Sequence, residues 1–220
     1  MAKTRWVAFF GTVLVAATAA AEEAWETIQT QPIVIKARDV PGTGIREIWA
    51  EGDMAAPAQD IQSALMDADG YAKFMPYAKE SRTVGQPEAD GGQWVYTRLD
   101  FSALVSSRDY VVKTYVDEKV GEDGTGTFRN HWKSDSKKLP KRANIVRLPL
   151  NQGSWTVTSS GPNKSHAVYR FMVDPGGWLP AFAANIGNTS GVTDTFLAVE
   201  KEAQRRARDR AEAASAKPGP

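Results

Sequence analysis

The stretch from Asp174 to about Ala213 limits the possible folds more than any other. It opens Asp174-Pro175-Gly176-Gly177-Trp178-Leu179-Pro180 and continues as the longest helical pattern in the chain. Pro180 suits a first helical turn, where no backbone donor is required. Phe182, Ile186, Thr189, Ser190, Thr193, Phe196 and Leu197 then recur at three- and four-residue steps and share one face. Beside them runs a stripe of small residues, Ala183, Gly187, Gly191 and Thr195. An interior helical Gly costs about 1 kcal/mol relative to Ala. Two on one face imply that something approaches closely. Either a sheet backbone packs there, or the helix closes a cavity and leaves room for a guest. Beyond Lys201 the pattern is polar all round, which predicts last turns projecting into solvent.

What precedes this helix reads mostly as strands. Glu22–Gln29 has Trp25 and Ile28 spaced for a short helix. Pro32–Arg38 and Ile45–Met54 are strand candidates, the second with Ile48, Ala50, Gly52 and Met54 on one face. Pro57 starts a helix with Ile61, Leu65 and Met66 as apolar positions; Asp69-Gly70 breaks it, and Tyr71–Met75 is a second helical piece. From Lys79 the period falls to two. The predicted strands are Lys79–Gln86, Gln93–Phe101, Arg108–Lys119, Thr125–Trp132, Arg142–Pro149, Gly153–Ser159 and Ser165–Asp174, about nine in all. Tyr110, Val112, Thr114 and Val116 alternate against Asp109, Lys113 and Asp117; Ala167, Tyr169, Phe171 and Val173 alternate against His166 and Arg170. One covered face and one wet face describe an antiparallel sheet. A twisted sheet of that size curls and must be plugged, and the long helix is the natural plug. The class is α+β, a curved antiparallel sheet around a C-terminal helix.

The N-terminus sets the expected compartment. Lys3 and Arg5 precede an apolar run from Trp6 to Ala17, then Ala19-Ala20-Ala21 and Glu22-Glu23. That is the pattern of a secretory signal peptide, residues 1–21, and the run is shorter than the roughly 20 residues of a membrane span. Periplasmic or secreted localisation is the expectation. With no cysteine in the chain, no disulfides hold it. Cleavage takes the formal net charge from +1 to −1 and leaves about 200 residues, one domain at 22–213 with a frayed tail at 214–220. A near-neutral body argues against nucleic acid as a partner, and a monomer is expected.

Reaction chemistry is thin. The chain has two histidines, His131 and His166, on different predicted strands, with His166 on a polar face. No HExxH, G-x-S-x-G, Walker or G-x-G-x-x-G pattern occurs, so neither metal nor cofactor is implied. Lys133, Lys137, Lys138, Lys141 and Arg142 form a basic stretch that reads first as a solvated loop and second as a contact for anionic headgroups. Arg205, Arg206, Arg208 and Arg210 suit the negative end of a helix dipole. Arg98 shares a strand side with Trp94 and Tyr96. It is a ligand-orienting candidate if that side faces a cavity, because a buried charge needs a partner.

Several segments together resemble START domains, the steroidogenic-acute-regulatory-related lipid-transfer family. They are Asp69-Gly70-Tyr71, Phe74-Met75-Pro76-Tyr77-Ala78-Lys79-Glu80, Ser107-Arg108-Asp109-Tyr110-Val111, Gly153-Ser154-Trp155, and Gly177-Trp178-Leu179-Pro180 leading into the last helix. Their order and spacing match from about Trp25 to Arg206. The resemblance implies a helix-grip fold with an apolar tunnel that holds one lipid, without catalysis. Some sterol-binding members pair an acidic residue with an arginine inside the tunnel; those positions correspond here to Arg98 and Thr114, so a sterol ligand does not carry over.

The expected function is therefore lipid binding or shuttling in the cell envelope, with transient membrane contact. The expected lining is Arg98, Tyr110, Val112, Thr114, Phe128, Asn130, Val146, Leu148, Tyr169, Phe171, Phe182, Ile186, Gly187, Ser190 and Gly191. A cyclase or hydratase on the same fold group is the first alternative, with His131 or Arg98 as its acid/base. A non-binding interaction module with a filled core is the second.

Overall fold

The computed structural model describes residues 24–101, 105–177 and 189–216. Ten strands form one open sheet: β1 (Glu26–Gln29), β2 (Val34–Val40), β3 (Ile45–Met54), β4 (Ala78–Val84), β5 (Gln93–Leu99), β6 (Arg108–Glu118), β7 (Thr127–Ser134), β8 (Val146–Arg147), β9 (Leu150–Gly161) and β10 (Lys164–Asp174). Their order is β1-β2-β3-β10-β9-β7-β6-β5-β4, antiparallel throughout, with β8 lying parallel to the start of β6. Helices α1 (Ala58–Met66) and α2 (Tyr71–Phe74), with a 3₁₀ turn at Ala68–Gly70 between them, and the long α3 (Gly191–Ser215) complete the described chain. The expected α+β arrangement, a curved sheet around a C-terminal helix, is met. The predicted signal segment at 1–21, the tail end at 217–220 and the Pro180 helix start lie outside the described residues, as do Phe182, Ile186 and Gly187.

The core sits where β2, β3, β10 and β9 meet the helices. Ile35, Ala37, Ala50, Met54, Val157 and Ala167 point inward from the strands, Ile61 and Leu65 from α1, and Val192, Phe196, Val199 and Ala203 from α3. Gly52 lets that layer close. A Cβ there would stand 3.0 Å from Ile33 and 3.7 Å from Phe196.

The helix phase differs from the expectation. Phe196 is buried, but Leu197 is 42 % exposed, and Val192, Val199 and Ala203 carry the seam instead. A π-helical turn at Thr189–Ser190 precedes α3. Its wider i→i+5 bonding rotates every later residue relative to an uninterrupted α-helical count. The last turns also do not project freely. Arg206 bonds Asp67 at 2.5 Å and Glu202 at 2.8 Å, and Arg210 reaches the buried Asp60 at 2.7 Å. Arg206 and Arg210 thus bind α1 and the turn after it, although the residues from Arg208 onward are exposed as a continuous run. On α1, Met66 points outward instead of joining Ile61 and Leu65.

Two further expectations change. The segment before Gln29 is a strand, not a helix: β1 pairs with β2, Glu26 facing Ala37. Trp25 lies edge-on to Trp49 at 5.9 Å, with the Arg38 guanidinium 4.8 Å above it. That cross-strand stack outweighs a two-turn helix, which is marginal by itself. The strand expected at Arg142–Pro149 shrinks to the two residues of β8. Its neighbours form a loop over the outer face of β5 and β6, pinned by Arg147. Arg147 grips Asp109 through two bonds of 2.6 and 3.1 Å and donates to the carbonyls of Ser136, Leu139 and Pro140. Asp109, expected on a wet face, is therefore buried.

Candidate functional site

Strand register decides which side chains face α3. Directly paired residues share a face. Thr97 pairs with Tyr110, Thr114 with Trp132, Asn130 with Trp155, and Trp155 with Tyr169. These make a continuous concave surface across β5, β6, β7, β9 and β10. Arg98 pairs with Asp109 and sits on the opposite, convex face. There its Nε lies 3.5 Å from Asp100. The structure thus separates Arg98 from the expected lining, because its strand neighbours Trp94 and Tyr96 face the outer loop.

The other expected residues divide into three groups. Phe128 has no exposed surface and Val112, Asn130 and Leu148 almost none; these belong to the packed interior. Tyr110, Thr114, Val146, Gly191, Tyr169 and Phe171 are half-buried. Ser190 is exposed at the entry to α3. Tyr169 is held rigidly, stacked on Trp155 at 4.2 Å and on Phe171 at 4.6 Å, with Trp132 at 6.1 Å. Phe196 of α3 closes on Trp155 from the other side at 5.8 Å.

Gly153 makes this aromatic column possible. A Cβ there would lie 2.5 Å from the Trp132 ring and 2.8 Å from Phe171, so only a missing side chain lets the two cross the strand. Trp132 then anchors its Nε1 on Asn151 Oδ1 at 2.9 Å. Sequence reading missed Trp132, Trp155, Thr97 and Tyr71. The first two were within reach. Alternation from Phe128 and Asn130 leads to Trp132, and the register of Gly153 leads to Trp155.

Hydroxyls supply the polarity of this surface. The Tyr71 hydroxyl donates to the Leu65 carbonyl at 2.5 Å. Ser81 and Thr97 share a hydrogen bond of 3.0 Å, and Tyr110 faces Thr97 across the strand pair. Burial pushes the Tyr110 hydroxyl up from its usual pKa; burial, then the neighbouring Tyr110 hydroxyl, does the same to Tyr71 and Tyr169. All three stay protonated near neutral pH and act as neutral hydrogen-bonding groups. Tyr110 and Tyr169 are desolvated yet keep accessible surface.

The two histidines lie elsewhere. His131 is on the convex face, half-exposed, 2.8 Å from Asp117 and stacked on Tyr115. His166 is likewise exposed and pairs with Asp53 at 3.0 Å. Among the described residues no cluster of His, Asp or Glu could hold a metal ion, and no helix is long and apolar enough to cross a membrane. A separate groove of about 730 Å³ runs between α2 and α3, but Asp67, Glu202 and Arg206 in its walls are already tied to one another.

No family model matches the sequence. A curated relative, an uncharacterized protein of Pseudomonas aeruginosa, is 26% identical over 193 residues, covering 87% of this chain and 92% of its own. The crystal structure of a STAR-related lipid transfer protein from Xanthomonas axonopodis superposes with a TM-score of 0.68 at 25% identity, covering 82% of this chain and 98% of that one. The chain is a START-type domain. Human StAR-related lipid transfer protein 5 gives 0.70 at 18% identity, over 87% of this chain and 90% of its own. An aromatase/cyclase from a Streptomyces species gives 0.52 at 17%, over 74% and 96%. In this START-type domain the concave sheet and α3 enclose the aromatic column, while the basic loop residues serve the outer face. Lys138 pairs with Glu88 at 3.0 Å and lies 4.5 Å over the Trp94 ring; Arg142 pairs with Glu80 at 2.6 Å and bonds the Tyr96 hydroxyl.

Proposed function

We propose that this protein binds one hydrophobic or amphiphilic lipid between the concave sheet and α3 and carries it unchanged. The observation that carries the reading is the row of half-buried side chains Tyr110, Tyr169 and Phe171 on the concave face beside a fully packed core. A surface of aromatic rings with a few hydroxyls suits an amphiphile, and burial of its chain contributes roughly 25 cal/mol per Å². The likeness to a lipid transfer protein supports the same reading. Catalysis has less support. The aromatase/cyclase likeness is one of fold, and His131, the base such an enzyme would use, stands on the convex face.

The carrier works outside the cytoplasm, as a monomer that touches membranes transiently, after cleavage behind Ala21. N-terminal sequencing of the envelope fraction should begin at Glu22; a full-length cytosolic product would refute export. Native mass spectrometry of protein purified from its own envelope should show one bound lipid, and incubation should return it unaltered. A chemically changed product would favour the enzyme reading.

A further inference from the structure

Five cations line the groove between α2 and α3, against three anions. Arg205 and Arg206 are spent on Glu202, Asp209 and Asp67. Lys73, Lys201 and Arg208 have no acidic partner among the described residues. Outside those residues the only acids are Glu22 and Glu23. The chain enters β1 from them beside Trp49, on the convex face, away from the helices. Between the cations lies an apolar strip: Phe74 of α2 with Leu197 and Ala198 of α3, Leu197 being 42 % exposed. Asp194, Leu197, Lys201, Arg205 and Arg208 follow one another at three- and four-residue steps, so they form one ridge of α3. That wall starts with an acid and a leucine and ends in cations, over about 21 Å of helix.

We propose that this groove docks an acidic segment of a partner protein, with an apolar side chain over Leu197 and Phe74 and carboxylates against Lys73, Lys201 and Arg208. The shape selects a single chain over a bilayer. A membrane surface is broad and rests on ridges, whereas a trough between two helices admits one segment. At about 3.3 Å per residue, about six extended residues span the α3 wall. Charge sets the direction. Asp194 repels carboxylates from the start of α3, so the acidic end of the segment lies toward Arg208. Arg205 and Arg206, held by their own acids, fix the wall and leave the other cations to the partner. Exposed cations of this kind add little to the fold, but opposite charge steers and selects a partner. The groove is separate from the aromatic column, so docking there does not rest on the lipid reading.

The test follows the fluorescence anisotropy of a labelled peptide, a leucine pair followed by a run of glutamates, on the purified full chain. Wild-type protein should bind it at low ionic strength and release it as salt screens the charges. Lys201→Gln and Arg208→Gln should each weaken binding by up to about 5-fold, the upper worth of an exposed pair. Leu197→Ser should weaken it at every salt concentration. Lys137→Gln, at an exposed cation outside the groove, should change nothing. All four positions are exposed, so the variants should unfold at the wild-type temperature. Absence of wild-type binding, equal binding of a peptide with lysine in place of glutamate, or affinity that survives the three groove substitutions together would overturn the docking site. Capture by phosphatidylglycerol vesicles but not by the peptide would overturn it in favour of a bilayer. Lipid uptake by the same variants should be unchanged; its loss alongside peptide binding would assign these residues to the lipid path and overturn the docking site.

Discussion

The two halves of the sheet are built differently. Under α3, strands β2, β3, β9 and β10 bury Ile35, Ala37, Ala50, Met54, Val157 and Ala167 against Phe196 and Val199, all with no exposed surface. Across β4, β5 and β6 the inner face carries Ser81, Thr97, Tyr110 and Thr114, and the buried apolar cluster there has three members, Ala68, Val95 and Val112. The first half is closed by packing. The second draws its rigidity from outside, through the Arg147–Asp109 pair and the loop that it pins. Anchoring from the convex side leaves the concave side available to a guest.

The contrast can be broken most severely at Phe196. Phe196→Ala should cost about 3–5 kcal/mol, read as a lowered urea midpoint, with lipid uptake failing only as the fold does. Arg147→Met comes close behind. It strands the buried Asp109, a loss of about 3–5 kcal/mol, whereas a double change to apolar residues of similar volume should recover most of it. Recovery would show that the pair sets the loop's position more than its stability. No recovery would mean that the five bonds to Asp109 and the carbonyls of Ser136, Leu139 and Pro140 hold that half together.

Smaller effects sharpen the comparison. Ser81→Ala removes a buried bond that is made within the protein and should cost about 1 kcal/mol. Tyr169→Phe removes a hydroxyl that bonds no described residue, so thermal unfolding of the lipid-free protein should be unchanged or slightly raised. A loss equal to that of Ser81→Ala would assign the Tyr169 hydroxyl a structural partner. At the outer face, Lys113 lies 2.6 Å from both Glu88 and Asp90. Bonds from Lys113, with help from Lys138 for Glu88 and the Gly92 amide for Asp90, hold both carboxyls at about 2. A carboxylate with a depressed pKa stabilises the fold above its ordinary value, and the effect is lost as pH falls through the folded one. The difference in Tm between wild type and Lys113→Gln should thus be full near neutral pH, shrink below about pH 4.5 and vanish near pH 2. The smallest effect belongs to Met66→Gln on the exposed side of α1, within about 0.5 kcal/mol.

Alternation made most of the sheet legible, because β3, β6, β7, β9 and β10 each have one face on the core. It failed at Asp109, where a distant loop covers the face that a two-residue period assigns to water. Helix periodicity found α3 but misjudged its phase, since no residue type announces a π-turn at Thr189. Tyr110, Thr114, Tyr169 and Phe171 were reachable as one face of two strands. Thr97 and Ser81 were not, because a hydroxyl on a strand carries no sign of which neighbour will bond it. Arg98 was misplaced for a related reason: its side of β5 is apolar in sequence, with Trp94 and Tyr96, yet those rings face cations on the outer loop.

An unclosed sheet has two edges, and here they are β1 and β4. An unpaired strand edge is a template on which another chain can add. One edge is only four residues long, and the other, Ala78–Val84, carries Lys79, Glu80 and Arg82. Both are poor seeds for edge-to-edge aggregation. Unpinning β1 would expose the seven residues of β2 in its place. The Trp25–Trp49 stack, with Arg38 above it, therefore protects the solubility of the molecule as well as the end of its sheet.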